Sequence, residues 1–323
     1  MIIKNAQSFC KCVHADDLFI CTFGYEQRSV YLYEKITGLY PAIASLTFLM
    51  DDYGQYPHTV KKATELREKQ SEVFVQKYED YAAVQKRIIE RVNALILERD
   101  ALTVHIDYSS MPRSWYCKLP VLLNSVIRPC DKVYFWYAEG DYPEQHEVYP
   151  SAGIESFSFY AGKPSLRIDN KRVHVVALGY DVIRTQAILS ITDPSYLVAC
   201  YAYNPKREGF LERLKQVNEP VLSRAAVKVP LHVEDFEFMV SKLCEIAKEF
   251  ALYGDVVLIP DGPKPLIFAL SLVPDLIRKD WKEGITCLHI SRNKDHFEVV
   301  DVTPNGIVHG FVIMNDDSQM VKM

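Results

Sequence analysis

Long apolar runs, blocks of basic charge and patterned cysteines are all missing from this chain. No stretch of about 18 uninterrupted apolar residues occurs, so no transmembrane helix is expected. The opening MIIKNAQSFC lacks a basic flank leading into an apolar core, so no secretory signal is expected and a cytoplasmic location follows by default. Over 323 residues the net charge is −5, with no long basic block. That balance argues against a duplex-DNA binder driven by phosphate neutralisation. The eight cysteines keep no framework spacing. Cys21, Cys117, Cys200, Cys244 and Cys287 sit inside apolar runs, where a reduced thiol behaves as a small buried hydrophobe.

The familiar catalytic signatures are missing too. There is no Gly-x-Gly-x-x-Gly after a strand, no Walker lysine loop and no Gly-x-Ser-x-Gly elbow. Dinucleotide oxidoreductase, P-loop NTPase and α/β-hydrolase readings are therefore set aside. The histidines have no His-Glu-x-x-His spacing, and His105 and His174 lie within apolar strands as satisfied core residues. Cys10, Cys12 and His14 form the one cluster of metal-ligand types. Cys-x-Cys is not the usual knuckle spacing and a fourth ligand would have to come from elsewhere. No metal and no cofactor are predicted.

What is there is a repeat. LFICTFGYEQRS at 18–29 and VHVVALGYDVIRT at 173–185 are both an apolar run followed by Gly, Tyr, an acid, Arg and a hydroxyl residue. Further landmarks keep the same order and nearly the same offset, as a repeat requires. Glu79-Asp80-Tyr81 is answered by Glu234-Asp235-Phe236, and the strand ending in Asp107 by the one ending in Asp261. The strand at 132–140 is answered by that at 285–293, and Ser151–Ile154 by Pro304–Ile307.

Strands alternate with helices through both halves, which predicts a mostly parallel sheet with right-handed crossovers. The expected fold class is α/β: a tandem duplication of a Rossmann-like unit with a C-terminal hairpin in each copy. The first unit is placed at 1–160 and the second at 172–323, with the polar stretch AGKPSLRIDNK at 161–171 as the boundary. The hairpins are expected at 146–149 with 154–160, and at 297–302 with 307–313 across Asn305-Gly306. A helix is expected around 113–126, and residues 1–15 as an edge strand or lid.

In a doubly wound sheet, ligands collect outside the carboxyl ends of the strands at the switch point. An order 3-2-1-4-5 makes the first strand and the Asp107 strand neighbours. The first copy then offers Tyr25, Glu26, Arg28 and Ser29 from one loop, and Asp107, Ser109, Ser110 and Arg113 from the other. Two guanidinium groups and hydroxyls near a helix start suit a phosphate or carboxylate ligand. Asp107 could orient an arginine, hold a ribose hydroxyl or act as a base, with Glu26 the second candidate acid–base group. Alternatively Asp107 or Ser109 only caps a helix whose first turn holds Pro112. The second copy presents Tyr180, Asp181, Arg184, Thr185 and Lys264, a poorer set. Tyr53, Tyr56, Tyr78, Tyr81 and Tyr108, with Trp115 and Trp136, make the first copy aromatic, which ordinary packing explains better than base stacking.

These loops resemble those of the CARF and SAVED sensor domains of prokaryotic defence systems. There the loop after the fourth core strand is often Asp-x-Thr-x-Gly-Thr-Lys; here it is Asp107-Tyr-Ser-Ser-Met-Pro-Arg113, with Met-Pro-Arg in place of Gly-Thr-Lys. The resemblance implies a nucleotide-like ligand and a sensor, or a partner subunit working with an effector protein. The other readings are an enzyme (nuclease, glycosidase or transferase) acting on a nucleotide at the same site, and a pseudo-dimer with no ligand.

Overall fold

The computed structural model describes residues 1–51, 60–61, 64–66, 72–141, 151, 153–164, 171–277, 284–291 and 300–315, the side chains of 206 and 208 excepted. Its strands are β1 Ile2–Asn5, β2 Leu18–Phe23, β3 Ala44–Met50, β4 Glu72–Gln76, β5 Thr103–Asp107, β6 Lys132–Asp141 and β7 Phe157–Gly162. They continue with β8 Lys171–Leu178, β9 Tyr196–Tyr203, β10 Val227–His232, β11 Gly254–Pro260, β12 Ile285–Ile290 and β13 Thr303–Met314. Among the described residues the helices are α1 Phe9–Cys12, α2 Tyr31–Leu39, α3 Tyr81–Glu98, α4 Arg113–Tyr116 and α5 Leu119–Asn124. After them come α6 Val182–Thr192, α7 Glu208–Val217, α8 Glu219–Leu222, α9 Phe236–Ala251 and α10 Lys264–Ile277.

Two sheets result. Their orders are β1-β13-β6-β5-β2-β3-β4 and β10-β9-β8-β11-β12-β7. Within each, five strands run parallel in the Rossmann order 3-2-1-4-5, and the remaining pairings, β6 with β13, β13 with β1 and β12 with β7, are antiparallel. The central strands explain themselves: every residue of β2, LFICTF, is buried, as a strand covered on both faces requires. Helices cover the faces through apolar stripes. In α9, Phe236, Met239, Val240, Leu243, Ile246 and Ala247 are buried at helical spacing, and Asp235 caps its first turn by accepting from Phe238 N at 3.0 Å. Each large apolar side chain so enclosed contributes roughly 1.5–3 kcal/mol.

Three expectations need correction. The compact units are 1–145 with 299–323, and 146–298, rather than 1–160 and 172–323. The end strands cause the difference. β7 follows β6 in the chain but pairs with β12, while β13 follows β12 but pairs with β6 and β1. Each unit is thus completed by a strand from the other half of the sequence. Second, Asn305-Gly306 does not turn a hairpin. Gly306 has φ +88°, and Asn305 Oδ1 accepts from Ile307 N at 3.0 Å. The register slips between Pro304 and Val308, so the pair forms a bulge within the single strand β13. The segments 146–149 and 297–299 lie outside the described residues. Third, the helix expected at 113–126 divides into α4 and α5 because Pro120, with no N–H to donate, opens the second one.

The N-terminal leader is an edge strand, as expected: β1 pairs antiparallel with β13. α1 points Cys12 into the core and leaves Cys10 exposed, as two residues apart on a helix must.

Candidate functional site

The strand order puts β2 beside β5, and β8 beside β11, with the chain departing in opposite directions on either side of each pair. These are the switch points. Gly24 and Gly179 end the first strand of the two units, at the same topological place.

In the first unit the loop after β2 turns through a 3-10 segment, Gln27–Val30. This aims Arg28 across the sheet end rather than into open solvent, and the side chain is 2% exposed. Its Nε donates to Glu26 Oε2 at 2.7 Å and its Nη2 to Glu26 Oε1 at 3.2 Å. Nη1 reaches Tyr137 Oη at 3.0 Å and the Ala138 carbonyl at 3.3 Å, on β6. Gly140 makes room for it: a Cβ there would lie 3.2 Å from Arg28 Cδ and collide with Val302. The segment before β13 ties down the same loop. Arg28 N donates to the Val302 carbonyl at 3.1 Å, and Gln27 donates through N and Nε2 to Asp301 at 2.9 and 2.8 Å.

The second loop joins the first through Ser110, whose hydroxyl donates to Glu26 Oε2 at 3.3 Å. Asp107 serves its own loop: its Oδ1 accepts from Ser109 N at 2.9 Å and from Ser109 Oγ. Ser109 Oγ also accepts from Ala138 N at 2.8 Å. Ser109 and Ser29 are both 0% exposed, which removes their hydroxyls from the surface a ligand would meet. Arg113 opens α4, is half-buried and lies near Tyr116, whose phenol burial pushes well above its ordinary range. Tyr25, Ser110 and Arg113 are the partly accessible members of the proposed set. Of the aromatics, Tyr108, Trp115 and Trp136 are core residues at 0–2% exposure; Tyr53 and Tyr56 lie outside the described residues.

The second unit uses the same residue types differently. Asp181 caps α6 by accepting from Arg184 N at 3.0 Å. Arg184, 3% exposed, donates through Nη2 to Asp261 Oδ1, and Thr185 Oγ1 donates to Asp261 Oδ2 at 2.7 Å. Arg184 Nε lies 3.7 Å from Asp181, and Nη1 is buried without a hydrogen-bond partner among the described residues. Tyr180 donates to the Phe210 carbonyl at 3.0 Å, and Lys264, half-buried, opens α10.

Register explains the contrast. In the first unit Ile20 pairs with Ile106, so Asp107 is level with Cys21, three residues before Gly24. In the second, Ala177 pairs with Pro260, so Asp261 is level with Leu178, one residue before Gly179. Asp261 thus stands two residues, about 7 Å, nearer the loop than Asp107. The arginines also differ, at four residues after Gly24 and five after Gly179. Asp107 and Asp261 look equivalent in sequence but occupy different depths.

Of the histidines, His105 is satisfied: its Nδ1 accepts from Trp136 Nε1 at 3.0 Å and its Nε2 meets Asp17 at 2.8 Å. His174 is satisfied on one side only, with Nδ1 3.2 Å from Thr192 and Nε2 buried and unpartnered among the described residues. Among those residues no group of three or more His, Cys, Asp or Glu is placed to hold a metal ion. No described helix is long and apolar enough to cross a membrane.

Topology and strand ends together define a tandem Rossmann-like α/β protein. No protein-family model matches the chain, and no curated protein does. Among solved structures it is similar to a protein described as a universal stress protein of Pseudomonas aeruginosa UCBPP-PA14, at 11% identity, 85% of this chain, 94% of that chain and a TM-score of 0.25. It is also similar to UDP-GlcNAc 2-epimerase from Neisseria meningitidis bound to UDP-GlcNAc, at 9% identity, 82% and 91% coverage and a TM-score of 0.22. A third is a keto acid-selecting NRPS module, at 8% identity and a TM-score of 0.24, where the match covers 88% of this chain but 34% of that one.

Proposed function

We propose that the first unit binds a phosphate-bearing, nucleotide-like small molecule at its switch point. The observation that carries this reading is the way the two strand-end loops of the first unit meet. Ser110 bonded to Glu26 joins the two loops while Tyr25, Ser110 and Arg113 keep partial exposure. The second unit's arginine is buried against Asp261 instead. Arg28 is reassigned from ligand contact to framework, because its charge is already matched by Glu26. Tyr25 and Arg113 are half-buried at these loops, the one with a ring that can stack on a base and the other with a fork that can hold an oxyanion. A place in a prokaryotic defence or signalling system, as sensor or partner subunit, rests on the loop resemblance alone.

Calorimetry with mono-, di- and cyclic oligonucleotides tests the reading. A charge-assisted contact contributes roughly 1.5–3 kcal/mol, so Arg113→Ala should weaken binding about ten- to a hundredfold. Arg113→Lys should recover part of that loss, since it keeps the charge without the planar fork. No binding by any member of the panel would end the reading.

A further inference from the structure

A strand at the edge of a sheet leaves a row of N–H and C=O groups unpaired. Proteins blunt such edges with charge, proline, short strands or covering elements. Of the outer strands of the two sheets, β1 is four residues long and carries Lys4. β4 carries Glu72, and Arg87 of α3 lies over the Phe74 ring at 4.2 Å. β10 carries exposed Lys228 and Pro230. β7 differs from all three. Its sequence, FSFYAG, has neither charge nor proline, and Phe157 and Phe159 are 36% and 47% exposed. The register shift opposite Cys287 and Leu288 twists β7 locally but supplies no strand to its outer side.

The first unit shows what this position takes. β13 pairs antiparallel with the last parallel strand of its sheet, β6, as β7 does with β12. Yet β13 is not an edge, because β1 lies antiparallel along it from Ile2 opposite Met314 to Asn5 opposite Phe311. The equivalent place beside β7 is open among the described residues. The flanks of β7 say which strand fits it. Glu155 stands four residues before Phe159 and Lys163 four after, and both are exposed. Their backbones are fixed: Glu155 N donates to the Ser291 carbonyl at 3.1 Å, and Gly284 N donates to the Lys163 carbonyl at 3.2 Å. An antiparallel strand of the same sequence, centred on Phe159, sets Glu155 opposite Lys163 at both ends and the two Phe159 rings opposite each other. Opposite charges and aromatic pairs placed directly across strands are favourable, and like charges there are not. A parallel copy would set like charges opposite.

We propose that β7 is a docking edge for a second copy of this chain, the two β7 strands pairing antiparallel about a twofold axis at Phe159. Two six-stranded sheets then run on as one. Each copy offers the same edge, so the assembly closes at two and does not propagate. The contact is short beside a standard interface of roughly 1,600 Å². The dimer therefore forms at micromolar protein and separates on dilution. It stands whether or not the first unit binds a ligand.

Sedimentation velocity of the full chain over a dilution series tests this, with the exposed thiols removed by Cys10→Ser and Cys130→Ser. That parent should show monomer and dimer and nothing larger. Phe159→Lys places like charges on the axis and should raise the dimer Kd about tenfold or more. Glu155→Lys or Lys163→Glu alone should raise it about three- to thirtyfold, since each change acts twice across the axis. Glu155→Lys combined with Lys163→Glu should bring it back to the parent value. All three side chains are exposed, so the variants should melt like the parent when dilute. Phe159→Cys should give a disulfide-linked dimer on mild oxidation. A monomer at every concentration, an open-ended assembly, or a dimer indifferent to Phe159→Lys would overturn the proposal. So would a double exchange that fails to restore what the single ones lose.

Discussion

The two units share a strand order and a strand-end vocabulary, yet spend their charges in opposite ways. In the first unit the buried arginine is matched by an acid from its own loop, Glu26, and leans on β6. In the second the buried arginine crosses to Asp261, so the loop after β8 is latched to the end of β11. Two changes suffice for this: one extra residue before the arginine and an aspartate two positions farther out along its strand. A duplicated site is therefore retuned by register as much as by residue identity. Here one copy matches its buried arginine within its own loop and the other ties it to the neighbouring strand end, while both keep half-buried polar groups there.

The sharpest way to break that contrast is to remove the latch. Asp261→Ala leaves Arg184 buried with no carboxylate partner except Asp181 at 3.7 Å. Breaking a buried pair on one side costs about 3–5 kcal/mol. Urea unfolding should report that loss, and Asp261→Leu combined with Arg184→Leu should recover most of it. Glu26→Gln should cost less, about 1–2 kcal/mol, because Arg28 keeps Tyr137 and Ala138. Equal losses in the two single variants would show that the arginines are held alike after all.

A second difference is legible in pH. Burial, reinforced by the charge of Arg172, lowers the His174 imidazole from 6.5 to about 4. The folded protein then resists a proton that the unfolded chain accepts. Its stability contribution is whole above about pH 6.5 and is lost as pH falls toward 4. Between pH 7.5 and 5 the loss should be about 2 kcal/mol, and His174→Leu should flatten the slope. In the first unit burial lowers His105 as well, but Asp17 works against it, so His105→Leu should change the slope less. A profile in which His105, not His174, governs the acid limb would reverse the comparison.

The strand order could be read in the sequence because each core strand is an unbroken apolar run bounded by turn residues, and periodicity separates it from its helices. The exchange of end strands could not. β7 and β13 are local patterns that suit either sheet, and only the path of the chain between them decides which one they join. The arginines were visible but not their fates, because Glu26 lies in the same loop while Asp261 lies 77 residues from Arg184.

The smallest expected effect probes the strand ends themselves, at the two matching glycines. A Cβ on Gly179 would stand 2.8 Å from the Asp261 carbonyl oxygen, a backbone atom that cannot swing away. A Cβ on Gly24 would meet only Met50 Sδ at 3.6 Å and Ser110 Cβ at 3.9 Å, ordinary contact distances. Neither glycine has positive φ, so backbone conformation does not penalise alanine in either place. Gly179→Ala must push the β8 and β11 ends apart and loosen the Arg184–Asp261 latch, at about 1–2 kcal/mol. Gly24→Ala should be neutral or stabilising by up to about 1 kcal/mol, since alanine leaves the unfolded chain with less freedom to lose. Paired thermal melts of the two variants decide it. If Gly24→Ala proves the more damaging of the two, the first unit is the one closed at its switch point, and the assignment of the open site moves to the second.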